Sequence, residues 1–231
     1  AVTLDGALFS RDTLIMIKAL RQLGFDILTD EEATIIKIKG QAGIIPNKTA
    51  FIDVGNAGTA ARFITALLAL QNEGEYTLDG DSQMRERPMK GLIEALDQLG
   101  SASFTFLEKP FHFPFRVKTY GIQNKYAQVD ASTSSQILSA LLLTLPASQK
   151  AIKIDCPNVR MAYVQVTEYI KSYFGISASA MTEEGSFNIQ NNPYKIPKNA
   201  HFQIEPDLSA ASYFFALSLL HGGSLAIKNI P

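Results

Sequence analysis

The sequence predicts an α/β repeat fold turned inside out, built from βαβαββ units whose apolar helices are buried and surrounded by sheets. Three observations predict it. Short β-type runs recur at intervals close to 75 residues: VTLDG at 2–6, YTLDG at 76–80, AIKID at 151–155 and LAIKN at 225–229. Three helical segments, TAARFITALLALQ from Thr59, SSQILSALLLTLP from Ser134 and SAASYFFALSLLH from Ser209, start 75 residues apart. They are apolar nearly all the way round, so each needs cover on every side. A second helix type alternates with them and carries a polar face. A doubly wound parallel sheet would instead require amphipathic helices throughout.

In chain order, VTLDG opens the first unit and DTLIMIKALRQLG from Asp12 forms its amphipathic helix. TIIKIKG at 34–40 and FIDV at 51–54 alternate with period two and are expected to be half-buried strands. The second unit continues through the buried helix from Thr59, the YTLDG strand and the amphipathic helix PMKGLIEALDQLG. That helix is expected to start at Pro88, a favoured first helical residue. SFTFL at 103–107 and FPFRV at 113–117 follow as strands, with Phe111, Phe113 and Phe115 on one buried face. The third unit holds the buried helix from Ser134, the AIKID strand and the amphipathic helix RMAYVQVTEYIKSYFG from Arg160. Gly24, Gly100 and Gly175 end the three amphipathic helices and predict left-handed C-caps. Asp207 is expected to cap the helix from Ser209.

Composition narrows the function classes. The chain of 231 residues carries 21 basic and 22 acidic side chains, without a charge run. Nucleic acid is therefore not an expected partner, and an anionic ligand has to be held by local donors. The lone cysteine, Cys156, excludes an intrachain disulfide and fits a reducing, cytoplasmic setting. The N-terminus lacks the charged and apolar regions of a signal peptide, and no apolar run is long enough to span a bilayer. His112, His201 and His221 are scattered without metal-ligand spacing, so neither metal nor cofactor is expected.

The candidate binding residues gather at helix starts. Gly55-Asn56-Ala57-Gly58-Thr59 opens the first buried helix, with Arg62 one turn in. Glycines admit a ligand close to the backbone, and free N–H groups at a helix start favour an anion. Asp130 to Gln136, DASTSSQ, offers four hydroxyls and an amide at the next such start, more than an N-cap needs. Between them lies GDSQMRERPM at 80–89, where Arg87 directly precedes Pro88. A guanidinium at a helix start is unfavourable unless an anion sits there too.

GNAGTAAR, GDSQMRERPM, VDASTSSQILSALLL and IEPDLSAASYF resemble, in order, the motifs of the EPSP synthase family of enolpyruvyl transferases. The resemblance runs along essentially the whole chain. It implies one lobe of a two-lobe protein, each lobe made of three repeated α/β units, with the active site between the lobes. The implied reaction transfers the enolpyruvyl group of phosphoenolpyruvate to the 5-hydroxyl of shikimate 3-phosphate in the shikimate pathway of aromatic amino-acid biosynthesis. It implies that Gly58, Arg87 and Gln136 hold phosphoenolpyruvate. Ser134, Ser135, Gln136, Arg160 and Tyr163 would hold shikimate 3-phosphate, with Asn56 and Arg62 shaping the glycine loop. No cofactor or metal is implied.

The chain also departs from the family pattern. Arg160 stands where the family has a serine, Gln83 where an arginine is common, and Arg11-Asp12 where it has two aspartates. The family's Lys-Ser…Arg segment belongs to the first buried helix, which the repeat spacing puts before residue 1. The chain is accordingly expected to be a piece of a longer protein. Residues 1–206 would form a lobe with a truncated first repeat and 207–231 the start of the second lobe, which would supply proton transfer. Two alternatives share the scaffold. The UDP-N-acetylglucosamine enolpyruvyl transferases carry a cysteine ahead of the Arg-Pro pair, which this loop lacks, and a non-catalytic anion-binding module would lack a catalytic second lobe.

Overall fold

The computed structural model describes residues 1–148, 150–177, 179, 182, 185–197 and 199–227. The first unit contains β1 (Val2–Asp5), α1 (Arg11–Gln22), β2 (Asp26–Asp30) and β3 (Ile35–Lys39). The second contains β4 (Thr49–Asp53), α2 (Gly58–Leu68), β5 (Gly74–Asp79), a one-turn α3 (Ser82–Arg85), α4 (Lys90–Gln98), β6 (Ala102–Phe106) and β7 (Phe115–Thr119). The third contains β8 (Tyr126–Gln128), α5 (Ser135–Thr144), β9 (Ile152–Asp155), α6 (Met161–Tyr173) and β10 (Ser186–Ile189). Strand β11 (His201–Gln203) and helix α7 (Leu208–His221) follow.

Each unit makes its own sheet. The second has the order β4-β5-β7-β6, with β4 parallel to β5 and the other pairs antiparallel. The first repeats that plan as β11-β1-β3-β2, with β11 parallel to β1 in the place that β4 holds next door. The third is β10-β9-β8, again with a parallel pair, β8 and β9. Alternation decides which face turns inward: along β7, Phe115, Val117 and Thr119 are buried while Arg116 and Lys118 face water. Inside the sheets lie α2 and α5, buried along most of their length. The inside-out α/β architecture expected from the repeat is therefore the one observed.

One large core joins α2, α4 and α5 to the second and third sheets. The first sheet has only a small core of its own, Ala7, Ile17, Ile27 and Ile36, closed by α1. Among the described residues no buried helix lies against that sheet. Leu141, wholly buried on α5, samples the main core. Leu141→Ala is expected to cost about 3 kcal/mol, the transfer of its methyl groups plus the cavity left behind. Urea denaturation checks it as a lowered midpoint with unchanged slope.

The structure corrects several sequence expectations. Strand β2 was not anticipated. FIDV belongs to the next unit's β4 and does not pair with TIIKIKG. Helix α4 starts at Lys90, after Pro88: the first helical bond runs from the Ile93 N–H to the Met89 carbonyl at 3.1 Å, and the Met89 N–H donates outward to the Phe111 carbonyl at 2.9 Å. Phe111 and Phe113 lie before β7, not in it, and Phe111 takes φ +62°. Phe113 still stacks on Phe115 inside the core, with centroids 4.7 Å apart. Helix α7 forms, capped by Asp207 through the Ser209 and Ala210 N–H groups, but of its residues only Ala211 is buried. Tyr213, Leu219 and Leu220 are 78%, 86% and 81% exposed. The expected strand at 225–229 is not a strand over 225–227, and its last two residues lie outside the described ones. Gly24, Gly100 and Gly175 do take left-handed φ at their helix ends.

Candidate active site

The glycine loop owes its shape to contacts with the arginine loop. The Asp81 N–H donates to the Gly55 carbonyl at 3.0 Å, and a Cβ on Gly80 would stand 2.7 Å from that same oxygen. Asn56 Nδ2 donates to Gln83 Oε1 at 2.7 Å, so Gln83, which the sequence marked only as a departure, fastens one loop to the other. Arg11 reaches the arginine loop too, 3.4 Å from Asp81. The residue linking Asn56 to the second loop is thus identified only by the tertiary contact.

Helix α2 starts at Gly58 with no side-chain cap, leaving its first N–H groups open. A Cβ placed on Gly58 would lie 3.0 Å from Arg87 Nη1, 3.1 Å from Arg62 Nη1 and 3.7 Å from Gln136 Oε1. Four residues from three elements therefore converge on the start of α2. Arg62, 6% exposed, donates to the Gly58 carbonyl at 3.0 Å, Gln136 Oε1 at 3.3 Å and the Pro88 carbonyl at 3.4 Å. Its Nε is buried without a partner. Burial first, and the neighbouring Arg87 second, pull the Arg62 guanidinium below its usual value. Neither arginine pairs with a carboxylate among the described residues, whereas Arg11 and Arg85 both do. Two close guanidiniums without a counter-charge, at an uncapped helix start, have the chemistry that suits an anion.

The second candidate site opens beside the first. A cleft of about 300 Å³ is lined by residues 131–136, Arg160 and Tyr163. Ser134 caps α5 by accepting from the Gln136 N–H at 3.3 Å, and Ser135 is the first helical residue. Arg160 stands at the N-cap of α6, where no side chain caps the helix, and makes no ion pair among the described residues. Two helix N-termini and a guanidinium thus border one cleft. Ser132 hydrogen bonds hold the Asp130 carboxyl below the usual range, so it stays ionised at the cleft edge.

Gln136 joins the two sites. It lines the cleft, accepts from Arg62 and donates through Nε2 to Thr59 Oγ1 at 2.8 Å. The structure brings Gly58, Arg62, Arg87 and Gln136 into one cluster, and Ser134, Ser135, Gln136, Arg160 and Tyr163 around one cleft. Asn56 stands behind the first cluster as a support. Sequence reasoning gave no role to Thr59 or Gly91. A Cβ on Gly91, on the first turn of α4, would stand 2.2 Å from the Asp130 carbonyl oxygen. A glycine inside an amphipathic helical pattern was the available signal for such an approach. Cys156 is buried behind the segment that lines the cleft, and burial pushes its thiol up to about 11, the opposite of an activated nucleophile.

Comparison with known proteins covers the whole chain. The family model described as EPSP synthase (3-phosphoshikimate 1-carboxyvinyltransferase) matches residues 1–231. A 3-phosphoshikimate 1-carboxyvinyltransferase from Opitutus terrae is 41% identical over 231 residues, 99% of this chain and 53% of that protein. One from Trichormus variabilis is 37% identical over 230 residues, with the same two coverages of 99% and 53%. The chain thus spans about half the length of the curated relatives it matches. The solved EPSP synthase of Acinetobacter baumannii superposes with TM-score 0.73 at 22% identity, over 92% of this chain and 46% of that one. The enolpyruvyl transferase NikO of Streptomyces tendae gives 0.58 at 10% identity, over 92% and 48%. At these identities the two structures support the fold.

Proposed function

Since the chain belongs to the EPSP synthase family, we propose that it forms the substrate-clamping half of an enzyme that transfers the enolpyruvyl group of phosphoenolpyruvate to the 5-hydroxyl of shikimate 3-phosphate, releasing phosphate. The observation that carries the proposal is the sharing of Gln136 by two adjacent anion sites. Gly58, Arg87 and Gln136 hold phosphoenolpyruvate, with Arg62 behind them. Ser134, Ser135, Gln136, Arg160 and Tyr163 hold shikimate 3-phosphate. Such placement turns a two-substrate encounter into a reaction between fixed neighbours. The two arginines oppose the negative charge of the phosphoenolpyruvate throughout.

The chemistry also needs a proton delivered to the methylene carbon and one removed from the attacking hydroxyl. Among the described residues no carboxylate or imidazole lines the cleft. We assign those transfers to a second lobe that begins near Asp207, with residues 1–206 forming this one. The exposed apolar surface of α7 supports that boundary, as does the half-length match to the relatives. A cytoplasmic setting belongs to the same proposal and is supported by the unpaired buried Cys156.

Titration calorimetry tests the assignment. The chain by itself should bind shikimate 3-phosphate weakly, and Arg160→Ser and Ser135→Ala should each weaken that binding by roughly tenfold, the value of one lost charge-assisted hydrogen bond. The Arg160→Ser loss should shrink as salt rises, because an exposed charge pair is screened. Unchanged affinity in both variants would remove the cleft from the proposal. Measurable turnover by the chain alone would overturn the division of labour between lobes.

A further inference from the structure

The arginine loop carries two guanidiniums two residues apart, and the structure gives them opposite surroundings. We infer that Arg85, together with the connection between β6 and β7, positions Arg87, so that an ion network on the far side of the loop sets how the anion is met. The inference rests on the anion site proposed above. Arg85 ends α3 and grips the end of β5 in a fork: Nε to Asp79 Oδ1 at 2.9 Å and Nη2 to Asp79 Oδ2 at 2.6 Å. Its third nitrogen donates to Glu108 Oε1 at 2.8 Å, in the β6–β7 connection. One planar group thereby ties the strand, the arginine loop and the connection together. A lysine, a single point charge, cannot reproduce that fork.

A second tie follows on the other side of Arg87. The Met89 N–H donates to the Phe111 carbonyl at 2.9 Å. Phe111 sits at φ +62°, a left-handed conformation that a bulky residue adopts only when its surroundings enforce it. Those surroundings are visible. Its ring lies 5.1 Å from that of Phe106, and the Lys90 ammonium is 5.8 Å from the ring centroid. Lys109 of the same connection stands 3.6 Å from Glu86. Arg87 therefore lies midway between two anchored points, Arg85 and Met89, both held by residues 107–111. With the charge of Arg85 answered by Asp79 and Glu108, Arg87 is the one that presents uncompensated charge to Gly58.

The test compares Arg85→Met, Arg85→Lys and Glu108→Gln in the full chain, each with and without Arg87→Ala. Calorimetry with phosphoenolpyruvate and with shikimate 3-phosphate is combined with backbone hydrogen exchange over residues 84–89. Arg85→Met should weaken phosphoenolpyruvate binding by roughly fivefold to twentyfold, leave shikimate 3-phosphate binding unchanged within about twofold, and have no further effect in the Arg87→Ala background. The Arg87 and Met89 amides should exchange faster, Arg85→Lys should recover part of the loss, and Glu108→Gln should give a smaller loss of the same kind. Unchanged phosphoenolpyruvate affinity in Arg85→Met, alongside a clear loss in Arg87→Ala, overturns the inference. So does equal weakening of both ligands, which marks a general loss of stability. If the parent chain and Arg87→Ala bind phosphoenolpyruvate equally, the anion-site reading fails instead, and exchange at residues 84–89 alone decides whether Arg85 holds the loop.

Discussion

Gly58→Ala is expected to weaken phosphoenolpyruvate binding by roughly tenfold or more, over 1.4 kcal/mol, with only a small loss of stability. The added methyl would sit 3.0 Å from Arg87 Nη1, 3.1 Å from Arg62 Nη1 and 3.7 Å from Gln136 Oε1. Arg87 can swing aside, but Arg62 is buried and holds three acceptors, so it has little freedom to yield. The methyl would occupy the point on which those groups converge, where the proposed function puts the carboxylate or phosphate. Gly58 is not left-handed, so alanine meets no backbone strain, and the stability cost is the crowding of Arg62 alone, about 1 kcal/mol. Calorimetry and thermal denaturation of the one variant read both halves of the expectation. Parent-like affinity in Gly58→Ala would mean that the anion binds elsewhere.

The second large effect belongs to Gly91→Ala, an exposed-looking substitution in an amphipathic helix. A Cβ there would stand 2.2 Å from the Asp130 carbonyl oxygen, 3.3 Å from the carbon of that carbonyl and 3.2 Å from Ile137 Cδ1. The nearest obstacle is backbone, so no rotamer change relieves it. Either α4 or the segment leading into α5 has to move. The expected cost is about 3 kcal/mol, at the upper end for overpacking. Because Asp130 begins the segment that lines the serine cleft, shikimate 3-phosphate affinity should fall with it. Urea denaturation gives the first quantity and calorimetry the second. A parent-like midpoint and affinity would show that α4 and this segment do not touch.

These two glycines show how unevenly the sequence speaks. The loop around Gly58 reads by itself only as a helix start with a charge one turn later at Arg62, and the family resemblance singles out Gly58. Gly91 had the same signal as any glycine in a helical pattern, and nothing local says what comes close to it. Strand β2 escaped notice for a related reason. DILTD places acidic residues at both ends and buries only Ile27, so its alternation is too weak to separate from a turn. Helix α4 begins after Pro88, whose carbonyl meets Arg62 while the Met89 N–H meets a carbonyl 22 residues further along, contacts that the local sequence cannot announce.

The sequence alone determined the repeat, the two helix types, the glycine caps and the clustering of anion-binding chemistry at helix starts. All of these follow from properties that each segment carries by itself: the period of its apolar residues, the conformational freedom of glycine, and the donors of an open helix end. Only the tertiary structure decided that Asp79 and Glu108 neutralise Arg85 and leave Arg87 uncompensated, that Gln136 reaches Arg62 and Thr59 on α2, and that β11 completes a sheet begun at Val2. Those outcomes depend on segments far apart in the chain meeting at specific angles and distances. A periodic pattern tells a segment which face to bury, but not which partner will be waiting there.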